Sequence, residues 1–294
     1  MDMSVVHGSV VVGVDGSESA AAALDWAVRQ VSLEGRTLTV VHACGVPGVM
    51  RGLEDRTFDE GGWRTVGRAI VRDAVRDARL ADPTIGVESV VTMGHAEQVL
   101  TEAAESAALL VVGARGRGTL TSALLGSVST TLARQAHCPV VVVRQPEDQQ
   151  AGAGQRRVVV GVDRTPASSA AVEFGFRMAS MRGAPLTLLH AVWDSHERAS
   201  SLPGHSSSHS EDPSEEEWLV AETVAGLREK YPDVPVGERY QPGEPVRRLV
   251  EASHDASLVV VGSRGRRLLG TSLLGSVSRG VAERAFSPVA VVRP

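Results

Sequence analysis

The sequence has few aromatic residues and no excess of positive charge. It contains four tryptophans, two tyrosines and four phenylalanines among 294 residues, and its formal net charge is -5. Proteins that bind single strands without sequence preference stack bases on rows of aromatic side chains, and non-specific binding of a duplex needs a cationic surface. A nucleic-acid partner is therefore disfavoured.

Lysine and cysteine are also scarce. The only lysine is Lys230, far from any glycine-rich stretch, so the G-x-x-x-x-G-K-[ST] loop of P-loop nucleotide hydrolases is excluded. The two cysteines, Cys44 and Cys138, lie far apart and form no C-x-x-C pair. This spacing indicates neither a disulfide framework nor a thiolate zinc site. We expect both cysteines to be small buried residues.

Long hydrophobic runs are missing as well. No stretch approaches the roughly 20 apolar residues that a membrane-spanning helix needs. The first residues, MDMSVVHGSVVVGVDG, carry an acid rather than a basic flank and no small-residue cleavage pattern, which is unlike a signal peptide. We therefore predict a cytoplasmic protein without a membrane partner.

What the sequence does contain is an internal repeat. Four phrases recur at an offset of 148 or 149 residues, and each is given with its second copy: VVVGVD at 10–15 and 158–163, LTVVHA at 38–43 and LTLLHA at 186–191, LLVVGARGRG at 109–118 and LVVVGSRGRR at 258–267, LLGSVS at 124–129 and 273–278. A nearly constant offset indicates two copies of one domain. We place the domains at 1–146 and 156–294, with a polar linker at 147–155.

Each copy alternates short apolar runs with segments of helical periodicity. In the first copy the runs lie at 10–14, 37–42, 86–91, 108–112 and 139–143, and helical patterns at about 18–33, 63–81, 95–106 and 126–136. Strands that are apolar on both faces and separated by helices are typical of a parallel sheet covered on both sides. The pattern predicts an α/β fold with five strands per copy, and a loop rich in serine and glutamate at 195–217.

Ligands of open parallel sheets bind at the carboxyl ends of the strands. Asp15 ends the first strand, and a glycine-rich loop after the fourth leads to Gly126-Ser127-Val128 at a helix start. Glycines and a helix N-terminus present backbone amides to an anion, and Asp15 suits a ribose hydroxyl. Alternatives remain open: the glycines form structural turns, and Asp15 caps the helix that begins at Ser17.

The motif G-x-x-G, nine residues, then G-[ST], after a V-G-V-D strand end, resembles the ATP-binding branch of the universal stress protein family in its tandem form. The resemblance implies two Rossmann-like (adenine nucleotide α-hydrolase-like) domains, each with a parallel sheet of order 3-2-1-4-5. It also implies ATP at each domain, with Mg²⁺ or Mn²⁺ carried by the phosphates. The ribose would contact Asp15, and the main chain at Ala43 would recognise adenine.

The candidate cofactor-binding residues form one set per copy. The first set is Gly13, Asp15, Ala43, Gly113, Arg115, Gly116, Arg117, Gly118, Gly126, Ser127 and Val128. The second set is Gly161, Asp163, Ala191, Gly262, Arg264, Gly265, Arg266, Gly275, Ser276 and Val277. The two sets differ in that Arg267 replaces Gly118. We identify neither catalytic residues nor a metal site formed by protein ligands alone. His42 and His190 recur at the second strand, where we expect buried, hydrogen-bonded histidines rather than general bases.

These features favour a nucleotide-binding regulatory protein with at most slow hydrolysis, and the resemblance implies a role in stress adaptation. The alternatives are an ATP-using enzyme for adenylation or phosphoryl transfer, and an interaction scaffold that needs no nucleotide. The last strands, 138–144 and 287–293, are apolar edges of the implied sheets, and unpaired apolar edges aggregate. The resemblance implies that they pair with each other between domains. It is also compatible with a homodimer of the whole chain.

Overall fold

The chain divides into two compact units, Met1–Gln149 and Gln150–Pro294, and each is described by itself. The computed structural model describes residues 4–45, 60–116, 125–144, 157–163, 166–192, 215–263 and 274–294. The linker predicted at 147–155 lies outside these ranges.

The first unit is a parallel α/β sheet with helices on both faces. After a short 3-10 turn at Ser4–Val6, its elements are β1 (Val10–Gly13), α1 (Glu18–Glu34), β2 (Leu38–Cys44), α2 (Glu60–Ala81), β3 (Val87–Met93), α3 (Ala96–Ala103), β4 (Leu109–Gly113), α4 (Ser127–Gln135) and β5 (Val140–Val143). The strand pairs are β3 with β2, β2 with β1, β1 with β4 and β4 with β5. The strand order is therefore 3-2-1-4-5.

The second unit repeats this arrangement. Its elements are β6 (Arg157–Val162), α5 (Pro166–Arg182), β7 (Leu186–Val192), α6 (Glu215–Lys230), β8 (Val236–Pro242), α7 (Pro245–Ser253), β9 (Ala256–Gly262), α8 (Ser276–Arg284) and β10 (Val289–Val292). The pairs β8 with β7, β7 with β6, β6 with β9 and β9 with β10 are all parallel. Counted within the unit, the order is again 3-2-1-4-5.

The central strands form because their residues are β-branched and buried on both faces. Val10, Val11 and Val12 of β1 are fully buried, as are Val158 and Val160 of β6. Branched side chains fit the pleated surface and are stiff at the first side-chain torsion, which favours strands over helices. The predicted α/β fold and strand order are confirmed, and the strand bounds differ from the predicted runs by no more than two residues.

Helix α1 shows how the sequence sets an element's ends. The Ser17 hydroxyl accepts a hydrogen bond from the amide of Ala20 at 3.2 Å, and Gly35 closes the helix with a φ of 65°. These are the N-cap and left-handed C-cap that helix termini favour. The apolar side of α1 then packs on the sheet through Ala23, Ala27 and Val31, all nearly fully buried. The start of α1 is thereby fixed just beyond the end of β1.

Two further expectations concern segments of special composition. Helix α6 begins at Glu215, so residues 215–217 are helical and not part of the loop predicted for 195–217; residues 193–214 are not among those described. Among the described helices, none is long and apolar enough to cross a membrane.

Candidate functional site

The strand order brings the ends of β1 and β4 side by side. Val10, Val11 and Val12 pair in register with Leu109, Leu110 and Val111. Because both strands run in the same direction, the residues that follow them, Asp15 and the segment Gly113–Gly116, emerge at one edge of the sheet. A β-carbon on Gly116 would lie 2.7 Å from Oδ2 of Asp15. The first two features of the predicted site are thus in direct proximity.

Asp15 also supports the start of α1. Its Oδ1 accepts a hydrogen bond from the Ser17 amide at 2.9 Å, and the residue is half-buried. The alternative reading of Asp15 as a helix-supporting residue therefore describes a real contact. A carboxylate has two oxygens and accepts several hydrogen bonds, so this contact and a ribose hydroxyl are compatible.

Three of the predicted glycines are required by helix packing. A β-carbon on Gly13 would lie 2.9 Å from Cδ1 of Leu100, and one on Gly161 would lie 3.0 Å from Cδ1 of Leu249. A β-carbon on Gly113 would lie 2.5 Å from Oγ of Ser19 in α1. These missing side chains allow helices to approach the strand ends. Their predicted role toward a nucleotide stays a prediction.

Helix α4 begins near the ends of β1 and β4. Gly126 is its N-cap, and the Gly126 amide donates to the carbonyl of Ala114 at 2.9 Å. The next amides, those of Ser127 and Val128, have no acceptor among the described residues. The first amides of a helix cannot bond within it, and they carry the positive end of the helix dipole. The arrangement can therefore bind an anion.

Ser129, which is not among the predicted site residues, fixes the start of α4 to the strand. The hydroxyl of Ser129 donates to the carbonyl of Gly113 at 2.8 Å and lies 3.3 Å from that of Ala114. In the second unit the hydroxyl of Ser278 donates to the carbonyl of Gly262 at 2.6 Å. The signal was present in the sequence, since both copies read G-S-V-S. These serines hold the helix start against the strand end.

The hydroxyl of Ser127 has a partner on a neighbouring helix. It donates to Oε1 of Glu97, in the first turn of α3, at 2.9 Å. Glu97 is not among the predicted site residues, because it lies 30 residues from Ser127 and in a different helix. A carboxylate therefore lies beside the anion-binding start of α4.

The second unit repeats the backbone geometry with different side-chain contacts. Gly275 caps α8, and its amide donates to the carbonyl of Ser263 at 2.9 Å, as Gly126 does to Ala114. Asp163 stands at the end of β6, where its Oδ1 accepts the hydroxyl of Ser168 at 2.5 Å. The amides of Ser276 and Val277, like their counterparts, have no acceptor in the part of the unit that is described.

The end of β2 completes the same edge of the sheet. The amide of Val14 donates to the carbonyl of Val41 at 2.9 Å, and a ring nitrogen of His42 lies 2.7 Å from the carbonyl of Val14. This contact joins the two strand ends and gives His42 a structural role. Ala43 follows it and is half-buried. Ala191 has the corresponding position on β7, after His190, whose ring stacks on Tyr240.

Part of the predicted site falls outside the described residues. These positions are Arg117, Gly118, Arg264, Gly265, Arg266 and Arg267. Arg115 is described and half-buried, and its amide donates to the hydroxyl of Ser19 at 3.3 Å. In the described ranges, no group of three or more His, Cys, Asp or Glu residues could hold a metal ion.

A groove of ≈ 550 Å³ lies elsewhere, between α2 and β3 of the first unit. Its lining includes four arginines, at positions 68, 72, 76 and 79, together with Val71, Val75, Leu80, Ser89 and Val91. None of these residues belongs to the predicted nucleotide site. The ends of β1 and β4 are the better candidate site, because a groove lined by exposed arginines holds no converging set of amides.

Comparison with known proteins gives a consistent result over the whole chain. A model of the universal stress protein family matches residues 8–144 and again residues 155–293. Over 291 residues the chain is 39% identical to a universal stress protein of Mycobacterium tuberculosis, covering 98% of this chain and 97% of that protein. A universal stress protein of Mycolicibacterium smegmatis is 37% identical over 298 residues and is covered completely.

The fold is shared with a solved structure of another protein. The crystal structure of a universal stress protein from Archaeoglobus fulgidus superimposes with a TM-score of 0.68. It covers 97% of this chain and 98% of its own, at 19% sequence identity. At this identity, the likeness shows the fold.

Proposed function

Because the chain belongs to the universal stress protein family, matched once by each half, we propose that it is a nucleotide-dependent regulatory protein in stress adaptation. It binds one ATP per domain, and hydrolysis is at most slow. One observation carries the proposal. In both units a helix begins after a glycine N-cap near the ends of the first and fourth strands, and the amides of the next two residues have no acceptor among the described residues.

The residues present fit an adenine nucleotide. The amides of Ser127 and Val128 supply donors for a phosphate. Because Gly116 has no side chain, the space next to the Asp15 carboxylate stays open; a β-carbon at this position would collide with Asp15. Asp15 accepts hydrogen bonds, as binding of a ribose requires. The backbone of Ala43, at the neighbouring strand end, is available for the adenine edge. Asp163, Ala191, Ser276 and Val277 have the same assignments in the second domain.

The chain's own groups bind and orient the ligand. The amides at the start of α4 and α8 neutralise phosphate charge, and Asp15 and Asp163 fix the ribose. Arg115 adds positive charge near the first cradle, and Arg117, Gly118, Arg264, Gly265 and Arg266 are assigned to the phosphates by their sequence positions. When bound, Mg²⁺ screens phosphate charge, and the nucleotide carries most of its ligands.

The test is equilibrium binding of ATP with Mg²⁺ to the full chain and to the double variant Gly126→Ala plus Gly275→Ala. We expect saturable binding by the wild type. The added methyl groups should weaken it by about 1 to 3 kcal/mol for each buried hydrogen bond that is lost. No binding by the wild type, or unchanged binding by the folded double variant, would contradict the proposal.

A matched control is available on α6. Gly226 is exposed, and a β-carbon there would meet no atom within 4 Å. Gly226→Ala makes the same chemical change near the end of α6, outside both sets of proposed binding residues, so it should leave ATP affinity unchanged. It should also stabilise the helix by up to about 1 kcal/mol, because glycine is a poor helix former.

Turnover measured on the same protein separates the proposed regulator from the alternative enzyme. Steady hydrolysis or group transfer well above about 1 per second, the low end for ordinary enzymes, would favour the enzyme. Nucleotide released by denaturing the purified protein, and identified by its mass, would count against a scaffold that needs none.

Three finer expectations stay proposals from the sequence: a cytoplasmic location, pairing of the last strands of the two domains, and a homodimer of the whole chain. Light scattering of the purified chain tests the homodimer, because a dimer doubles the mass of 30.9 kDa.

A further inference from the structure

The two proposed nucleotide sites differ in charge at their phosphate end. In the first domain, the Glu97 carboxylate accepts the Ser127 hydroxyl at 2.9 Å, beside the first amides of α4. The repeat places Val246 at the position of Glu97 in the second domain. Val246 is 4% exposed, and a β-carbon on Gly280 of α8 would lie 2.9 Å from its Cγ1. The same two helices therefore meet through a carboxylate in one domain and through an apolar contact in the other.

The neighbouring acid of the second domain does not replace Glu97. Glu244 is the N-cap of α7, and its two carboxylate oxygens accept the amides of Val246 and Arg247 at 3.2 and 2.8 Å. Both oxygens of the Glu244 carboxylate are thus occupied by amides of its own helix. At the matching position of α3 stands His95, which makes no side-chain cap. The second cradle has no acidic partner of its serine among the described residues.

A carboxylate beside a phosphate cradle opposes an anion. Glu97 and a bound phosphate would repel each other over a short distance, and Ser127 cannot donate the same proton to both. A divalent cation removes this conflict, since Mg²⁺ is commonly bound through one or two carboxylates together with substrate phosphates, keeping several waters.

We propose that Glu97 makes the first site selective for nucleotide loaded with a divalent cation, whereas the second site binds nucleotide with or without the cation. This inference rests on the proposed function. It adds a specificity-determining residue and predicts that the two halves of the chain respond to different forms of the nucleotide.

The test is a calorimetric titration of ATP into the full chain, once with Mg²⁺ and once with a chelator. With Mg²⁺ the wild type should bind two equivalents. With the chelator, one site should weaken by about tenfold or more, the factor that corresponds to about 1.4 kcal/mol, and the other should change little. Glu97→Gln keeps an oxygen that can accept the Ser127 hydroxyl but removes the charge, so it should bind two equivalents of similar affinity under both conditions.

Glu102→Gln is the matched control. Glu102 is exposed at the other end of α3, so this variant should behave as the wild type. The inference is overturned if chelation weakens both wild-type sites alike or neither of them, or if Glu97→Gln shows the same loss as the wild type. No ATP binding by the wild type even with Mg²⁺ would instead contradict the proposed function itself, so the two failures are distinguishable.

Discussion

At the scale of single residues, the glycines near the strand edge have two different tasks. Gly113 lacks a side chain because α1 lies against it, with Oγ and the carbonyl carbon of Ser19 at 2.5 and 2.7 Å from the position of a β-carbon. Around Gly126 the nearest atom, the carbonyl oxygen of Ala114, would be 3.4 Å away, an ordinary contact. One glycine is required by the fold, and the other tolerates a methyl group.

We therefore predict that the same substitution at these two glycines lowers the free energy of unfolding by different amounts. Gly113→Ala should lower the free energy of unfolding by about 1 to 3 kcal/mol, the usual effect of overpacking. Gly126→Ala should lower it by less than about 1 kcal/mol, because only the preference of the N-cap changes. Urea unfolding of both variants checks this. Equal losses of stability would contradict the assignment of the two glycines.

The thiols provide a second prediction at this scale. Burial raises the pKa of Cys138 to about 12 and also raises that of Cys44, and the two residues are 6% and 3% exposed. The thiolate is the reactive form of cysteine. Neither thiol should react with a disulfide reagent at pH 8 in the folded protein, and two per chain should react after unfolding. Rapid labelling of the native protein would contradict this.

The raised pKa of Cys138 also predicts how stability depends on pH. Between its unfolded value of about 8.5 and its folded value, the unfolded chain has lost a proton that the folded chain keeps. Its contribution is therefore fully present below about pH 8.5 and is lost as the pH rises toward 12. Above about pH 9 the wild type should lose stability more steeply than Cys138→Ala, by up to about 1.4 kcal/mol per pH unit. Parallel pH curves would contradict it.

At the scale of elements, α1 depends on its cap. The Ser17 hydroxyl accepts the Ala20 amide, which would otherwise have no partner within the helix. Ser17→Ala should therefore cost about 1 kcal/mol of stability, whereas Ser17→Asp, another good N-cap, should cost little. Denaturant unfolding followed by circular dichroism measures both. A similar loss in both variants would show that the cap is not the cause.

Helix α4 is held in place by Ser129, which is buried and does not face the proposed nucleotide site. Ser129→Ala removes its hydrogen bond to the carbonyl of Gly113 and should loosen the start of the helix. We expect ATP affinity to fall about three- to tenfold, the effect of losing one ordinary hydrogen bond. Gln135→Ala, at the exposed far end of α4, is the control and should leave affinity unchanged.

The strands could be predicted because the information is local and repeated, whereas their order was expected only from the resemblance to the family. Runs such as VVVG and LLVVG identify strands by themselves, and the position of Asp15 follows from the end of the first run. The contact of Glu97 with Ser127 could not be predicted, since it depends on how α3 and α4 pack together. Sequence alone also cannot separate Gly113 from Gly126, because a missing side chain does not show what occupies its place.

At the scale of the whole molecule, duplication has conserved the backbone of the site more strictly than its side chains. Both units bond the N-cap amide to the residue after the fourth strand of the unit, Ala114 or Ser263, and both anchor the helix by a serine. The residues around this frame differ, as Glu97 and Val246 do. In the proposed function, this difference lets the two halves of the chain respond to different forms of the nucleotide.

The central claim is that backbone amides at the starts of α4 and α8 bind the phosphates. Amide resonances of the full chain, followed by nitrogen-15 NMR during titration with ATP and Mg²⁺, test it most directly. The amides of Ser127, Val128, Ser276 and Val277 should shift saturably, and that of Gly226 should not move. Saturable binding of ATP that leaves those four amides unchanged would contradict the claim.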